Sequence, residues 1–190
     1  MMKITQAYIL AGGQSRRMGR DKLFVSVDGV PLLGRTLDVC REAFARVSIV
    51  AKESAKFRQF NTKVLLDAPE ADGPLAGIIT ALRHCSEAAC FITAADLRDL
   101  NRTVIANLLQ DYRGEQYLGL REPDTCQPLC GIYNVSSLPV LLAAARRGEY
   151  ALHTILHELE CRFVPCDLTV WRNINRPSDL ADRQEVARHV

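Results

Sequence analysis

Several features that mark specialised classes of protein are missing from this sequence of 190 residues. Its formal net charge is only +2, whereas a dedicated nucleic-acid-binding protein normally carries an obvious basic surplus. No apolar run approaches the roughly 18 residues that are needed to cross a bilayer. The stretch MMKITQAYILAGG passes from a short apolar run into glycines, without the small-residue cleavage site of a signal peptide. We therefore expect no nucleic-acid partner, no membrane residence and a cytoplasmic location.

The seven cysteines are an odd number and include no Cys-x-x-Cys pair. In a chain without an export signal, most of them are expected to be small buried apolar side chains. One alternative gathers Cys126, Cys130, His153 and His157 into a metal site, because the two histidines stand four residues apart on a predicted helix. The cysteine spacing matches no common zinc pattern, so burial is the favoured interpretation.

Apolar runs alternate with helical patterns along the chain. Predicted strands cover residues 4–10, 47–51, 63–66, 90–95, 116–120, 129–135, 162–166 and 171–174. Predicted helices cover residues 31–44, 74–85, 101–112, 137–147 and 151–159, and a last helix begins at Pro177. This alternation implies crossover units and a mainly parallel sheet covered on both faces. We expect a single α/β domain over residues 1–190, with the strands after Asp96 at an edge of the sheet and some of them antiparallel.

A glycine-rich and cationic segment, LAGGQSRRMGRDK at residues 10–22, leaves the first predicted strand. Open α/β sheets bind their ligands at the carboxyl ends of the strands, where this segment would lie. Gly12 and Gly13 allow backbone N–H groups to approach an anion, and Arg17 and Lys22 supply neutralising charge. The segment is neither a P-loop nor the GxGxxG fingerprint. It predicts a polyphosphate site.

The residues of this segment resemble the LAGGxSxRMGxDK signature of the nucleotidyltransferase superfamily. Its second half is most similar to the molybdenum cofactor guanylyltransferases, and the similarity continues through DGPLAGI, Asp96, QPLCGIYN and NINRP. The resemblance implies a three-layer, Rossmann-like fold of the glycosyltransferase-A kind with a mainly parallel sheet. It implies magnesium-dependent transfer of GMP from GTP to molybdopterin, with release of pyrophosphate. Cofactor-insertion chaperones and apo-molybdoenzymes would be further partners.

The resemblance also assigns roles to individual residues. The nucleotide-binding residues would be Leu10, Ala11, Gly12, Gly13, Lys22, Asp67 and Asp96. The catalytic residues would be Arg17, Lys22 and Asp96, and Asp96 would also hold the metal. The pterin-side residues would be Gly77, Asn173 and Asn175. For Asp67 a helix cap or turn remains an alternative, and for Gly77 tight helix packing does.

The chain departs from the family pattern at several positions. Arg98 stands where the family commonly has proline, and Val50 or Ala51 stands where some relatives carry a nucleotide-binding asparagine. Tyr150 lies in a segment where many relatives have arginine, and Arg176 replaces a threonine suited to cap the last helix. These positions bear on base recognition and on the pterin side, and therefore on the substrate more than on the reaction class.

Two other functions remain open from the sequence. One is transfer of CMP to molybdopterin, or of a nucleotide to a sugar or alcohol phosphate, by a member of the same superfamily. The other is a non-catalytic module that binds a nucleotide without releasing pyrophosphate. The presence of both Lys22 and Asp96 favours an enzyme.

Overall fold

A mostly parallel sheet lies at the centre of the fold. The computed structural model describes residues 3–12, 22–27, 29–97, 100–121 and 126–165. Within them the strands are β1 (Gln6–Leu10), β2 (Ser26–Val27), β3 (Val30–Pro31), β4 (Arg46–Ala51), β5 (Lys63–Leu66), β6 (Ala89–Ala94), β7 (Tyr117–Arg121), β8 (Cys126–Asn134) and β9 (Cys161–Pro165). The helices are α1 (Leu32–Ala43), α2 (Gly73–His84), α3 (Arg102–Asp111), α4 (Leu138–Arg146) and α5 (Leu152–Leu156). Short 3₁₀ helices cover Lys22–Phe24, Ala55–Phe60 and Val135–Ser137.

The sheet confirms the predicted strand directions. Its seven described strands are ordered β5-β4-β1-β6-β8-β7-β9. Pairing is parallel between β5, β4, β1 and β6 and between β7 and β9, whereas β8 is antiparallel to both of its neighbours. Six strands therefore share one direction, and the single reversed strand belongs to the later part of the chain.

Two hydrophobic clusters cover the two faces of this sheet. Side chains of α1 and α3 pack on one face, against residues such as Ile9, Ile49 and Phe91. Side chains of α2, α4 and α5 pack on the other face, against residues such as Tyr8 and Val50. Successive strand residues point to opposite faces, so Tyr8 and Ile9 serve different clusters. The result is three layers, as the alternating sequence pattern predicted. No helix among the described residues has the length and apolar character to span a membrane.

The ends of two helices show how local sequence sets the boundaries. The side chain of Asn101 accepts a hydrogen bond from the N–H of Val104 at 3.1 Å, so it caps α3 as predicted. Pro31 was predicted inside the first turn of α1, but it occupies the N-cap position and pairs with Ser26 in the β2–β3 hairpin. This hairpin, with Gly29 at φ 81°, was not predicted because its strands have only two residues each.

Other boundaries differ from the predictions by a few residues. Strand β8 begins three residues before its predicted start, and α5 ends at Leu156 rather than at residue 159. Strand β6 ends at Ala94, which leaves Ala95 and Asp96 in the following turn. The strand predicted at 171–174 and the last helix lie outside the described residues.

Candidate functional site

The carboxyl ends of β1, β4, β5 and β6 meet at one edge of the sheet. Backbone hydrogen bonds continue the sheet one residue past these ends. The N–H of Ala11 donates to Val50 O at 2.8 Å, and the N–H of Ala95 donates to Leu10 O at 3.0 Å. This alignment places the residues that follow each strand side by side; they are Gly12, Lys52, Asp67 and Asp96.

Asp67 lies against the glycine segment. A Cβ atom added to Gly12 would stand 3.0 Å from Asp67 Oδ2, so the carboxylate, which comes from β5, reaches past the end of β4 to the loop after β1. Asp67 is half-buried, and this burial raises the pKa of its carboxyl group, while the charge of Lys52 acts in the opposite direction. The alternative that Asp67 caps α2 is wrong, because Asp72 occupies the N-cap position of that helix.

Asp96 follows β6 in a turn that is tied to α1. The hydroxyl of Thr36 donates to the carbonyl oxygen of Ala95 at 3.2 Å and to that of Leu32 at 3.3 Å. Leu97, directly after Asp96, is buried at 3% exposure. The turn is therefore fixed on both sides, and the half-buried Asp96 carboxylate is held beside the end of β1.

The donor set at Asp96 fits a magnesium ion shared with a substrate. Among the described residues, no three His, Cys, Asp or Glu side chains form a group that could hold a metal by themselves. Mg²⁺ is commonly held by one or two carboxylates, with phosphate oxygens and water completing its six ligands. A single carboxylate at the edge where a polyphosphate is expected matches this arrangement.

The alternative metal site of two cysteines and two histidines is wrong. Cys130 is fully buried in the cluster on the α1 and α3 face, whereas Cys126 packs on the opposite face. His153 Nε2 lies 3.3 Å from the backbone oxygen of Cys126, and no three His, Cys, Asp or Glu side chains of the described residues form a group that could hold a metal. Of the six described cysteines, Cys40, Cys90 and Cys130 are buried and the other three are half-buried, so the expectation of burial is met by half of them.

The start of β8 lies at the same edge of the sheet, next to the end of β6. Cys130 pairs with Thr93 of β6, so the antiparallel β8 begins where β6 ends. The fully buried Tyr117 and Tyr133, with ring centroids 4.5 Å apart, donate their hydroxyls to the carbonyl oxygens of Gln127 (2.7 Å) and Pro128 (2.8 Å). These bonds fix the Gln-Pro segment at the start of β8.

The loop between β5 and α2 carries charged contacts that the sequence patterns did not reveal. Lys52 Nζ lies 3.7 Å from Asp72 Oδ1, and Arg83 forms an ion pair with Glu70. The signal that was available is the position of Lys52, one residue after a predicted strand. This position alone does not indicate a function, because an exposed lysine is also common on ordinary protein surfaces.

Gly77 is buried in the contact between α2 and β1. A Cβ atom there would stand 3.0 Å from Leu10 Cδ2, so the absence of a side chain lets the helix approach the strand closely. This contact agrees with the packing interpretation of Gly77. Its assignment to the pterin side stays a prediction.

Part of the predicted site falls outside the described residues. This applies to Gly13, Arg17, Asn173 and Asn175, and to the side chain of Lys22. The backbone of Lys22 begins the 3₁₀ helix Lys22–Phe24, whose Leu23 is buried in the cluster formed with α1. The structure therefore brings together Leu10, Ala11, Gly12, Asp67 and Asp96 from the predicted nucleotide site.

Comparison with known proteins extends over most of the chain. A sequence model for the MobA-like NTP transferase domain matches residues 7–162. A probable molybdenum cofactor guanylyltransferase of Rhodopirellula baltica is 31% identical over 186 residues, which cover 90% of this chain and 88% of that protein. A probable molybdenum cofactor guanylyltransferase of Aquifex aeolicus is 28% identical over 159 residues, which cover 84% of this chain and 78% of that protein.

A solved structure gives a matching fold. The crystal structure of molybdopterin-guanine dinucleotide biosynthesis protein A from Archaeoglobus fulgidus superposes with a TM-score of 0.82. The match covers 97% of this chain and 100% of that one, at 24% sequence identity. This similarity confirms the predicted Rossmann-like fold class.

Proposed function

Because the chain belongs to the family of MobA-like NTP transferase domains, we propose that it transfers GMP from GTP to molybdopterin. The products would be the guanine dinucleotide form of the cofactor and pyrophosphate. Family membership confirms the resemblance that the signature segment predicted. The choice of substrates is supported by two relatives, both of which are named as probable molybdenum cofactor guanylyltransferases.

One observation carries the proposal: the Asp67 and Asp96 carboxylates end two strands on either side of the glycine segment at a single edge. Asp67 reaches Gly12 from β5, while Asp96 follows β6, and β1 lies between these two strands in the sheet. We assign to Asp67 the role of accepting hydrogen bonds from N–H or O–H groups of a nucleoside, and to Asp96 that of holding a divalent ion. The uncharged backbone of Leu10 to Gly12 lies between them, where a triphosphate would bind.

The mechanism follows from charge and position. An oxygen of the terminal phosphate of molybdopterin attacks the α-phosphorus of GTP in line, and the bond from that phosphorus to the bridging oxygen of pyrophosphate breaks. The attacking oxygen is already anionic, so no general base is required. Arg17 and Lys22 would neutralise the phosphates, and Asp96 would hold Mg²⁺, which supplies further positive charge to the phosphates when it is bound. Catalysis then consists of positioning and electrostatic stabilisation.

We assign the start of β8 to the part of the site that binds the acceptor, molybdopterin. Two tyrosine hydroxyls fix Gln127 and Pro128 at the start of β8. Strand β8 adjoins β6 on the side away from β1, whereas the nucleotide residues Leu10 to Gly12 follow β1. A molybdopterin phosphate entering between Asp96 and this segment would approach the α-phosphate from the side opposite Asp67. This arrangement is compatible with in-line displacement.

The test is pyrophosphate release measured with GTP and with CTP, each with Mg²⁺ and molybdopterin, for the wild type and for Asp96→Asn. We expect turnover with GTP, and a loss of about 100-fold or more in kcat for the variant. Asp38→Asn is the matched control, because Asp38 is an exposed carboxylate on α1 whose side chain is 67% accessible.

Three results would refute parts of the proposal. Full activity of Asp96→Asn would refute the assignment of Asp96 as the metal ligand. A preference for CTP would show that the enzyme transfers CMP rather than GMP. Nucleotide binding without any pyrophosphate release would identify a non-catalytic module.

A further inference from the structure

Lys52 and Asp67 occupy equivalent positions at the ends of neighbouring strands. Ala51 of β4 pairs with Leu66 of β5, and the N–H of Asp67 donates to Ala51 O at 3.0 Å. Lys52 and Asp67 are the next residues of the two parallel strands. Their side chains therefore leave the same edge of the sheet side by side.

The three acids of the β5–α2 loop differ in their partners. Glu70 pairs with Arg83, and Asp72 pairs with Lys52 at 3.7 Å. Asp67 has no cation within ion-pair distance among the described residues, although it is the acid that is half-buried. Within the described part of the chain, the charge that offsets its loss of solvent therefore acts from a longer distance.

Lys52 is the described group that supplies this charge. Burial raises the pKa of the Asp67 carboxyl, and the ammonium of Lys52 lowers it. From the β1 side the carboxylate faces Gly12, which is uncharged, and the other acids of its own loop, Glu70 and Asp72, each have a cation. The described cation that favours the ionised form of Asp67 is thus itself exposed and paired with Asp72.

We propose that Lys52 is a positioning residue of the nucleotide site, which acts through Asp67. Its ammonium favours the ionised form of the Asp67 carboxylate beside the glycine segment, where the carboxylate would accept hydrogen bonds from the nucleoside part of the substrate. The inference rests on the proposed function, because it places the nucleotide at this edge. Asp72 contributes by holding Lys52 over the end of β4.

The experiment compares Lys52→Met with Arg83→Met, a matched control that removes the other ion pair of the same loop. The first readout is the pKa of Asp67 in the ligand-free protein, from the ¹³C NMR titration of its carboxyl carbon, assigned with Asp67→Asn. We expect Lys52→Met to raise this pKa by about half a unit or more, while Lys52→Arg and Arg83→Met leave it unchanged.

The second readout is GTP affinity, measured calorimetrically from pH 8 down through the Asp67 pKa that the NMR titration gives. Loss of Lys52 favours the protonated carboxyl, so the acidic decline of affinity should move to higher pH by the same amount. In the pH range where affinity falls, we expect Lys52→Met to bind GTP about threefold more weakly than the wild type. At pH 8 the two proteins should bind GTP equally well. In an Asp67→Ala background the Lys52 substitution should have no further effect.

Several outcomes would overturn the inference. They are an unchanged Asp67 pKa in Lys52→Met, an equal effect of Arg83→Met, and a loss of affinity that is uniform in pH and persists without Asp67. The equal effect would indicate simple bracing of the loop, and the persistent loss would indicate direct contact between Lys52 and the ligand. If the wild type bound no GTP, the proposed function would fail, while the NMR titration would still decide whether Lys52 controls Asp67.

Discussion

Replacing Gly12 by alanine should weaken GTP binding while leaving the stability of the fold almost unchanged. The new Cβ would stand 3.0 Å from Asp67 Oδ2, whereas ordinary van der Waals contact begins near 3.4 Å. The carboxylate must therefore retreat by about 0.4 Å. Gly12 does not have a positive φ, so alanine meets no backbone strain at this position.

The expected magnitudes follow from this geometry. Hydrogen bonds to a charged group contribute about 1.5–3 kcal/mol, and we expect the displaced carboxylate to lose about 1 kcal/mol of this, or roughly fivefold in GTP affinity. The lower conformational entropy of the unfolded chain favours alanine by about 0.4–1 kcal/mol. This gain offsets much of the local crowding, so the free energy of unfolding should change by less than about 1 kcal/mol.

The assay combines urea unfolding with GTP titration of Gly12→Ala, Asp67→Ala and the double variant. If the methyl group acts through Asp67, it has little further effect once the carboxylate is gone. An undiminished loss of affinity in the Asp67→Ala background would refute this reasoning, because the methyl group would then obstruct the nucleotide directly. A loss of stability well above 1 kcal/mol would refute the packing argument.

Two further predictions concern the support of the site and the opposite edge of the sheet. Tyr117→Phe removes the donor to the carbonyl oxygen of Gln127, so urea unfolding should show a loss of about 1–2 kcal/mol; wild-type stability would contradict this role. For Glu87, burial acts to raise the carboxyl pKa, but donors from Thr5 and Arg46 outweigh it and leave the folded-state pKa lowered. Its stabilising effect is therefore present above about pH 4.3 and lost as the pH falls through the folded pKa. Glu87→Gln should show a flatter decline of stability between pH 6 and pH 3, and an unchanged decline would exclude Glu87 as its source.

Elements with long local patterns were predictable from the sequence. The continuous apolar run of β6 and the capping side chain of Asn101 are signals carried by neighbouring residues. The β2–β3 hairpin has too few residues for any periodicity, and the 3₁₀ helix Ala55–Phe60 buries a single side chain, Phe57. Such short elements are defined by contacts with the rest of the fold rather than by their own sequence.

The candidate site also contains features that the sequence predicts and features that it does not. Asp96 was predictable because the apolar strand before it fixes where its side chain emerges. The contact of Asp67 with Gly12 joins residues from strands that are separated by β4 in the sheet, so no local pattern contains it. The role inferred for Lys52 depends on the register between β4 and β5, which the sequence does not specify.

The reversed direction of β8 affects which part of the chain can adapt to a different acceptor substrate. Because β7 ends and β8 begins at the same rim, Arg121 and Cys126 face each other there, with only four residues between them in the chain. The connection joins neither β1 nor β5, the strands that precede Gly12 and Asp67. We expect changes in its length or composition to alter binding of the proposed acceptor while leaving the contact between Asp67 and Gly12 in place.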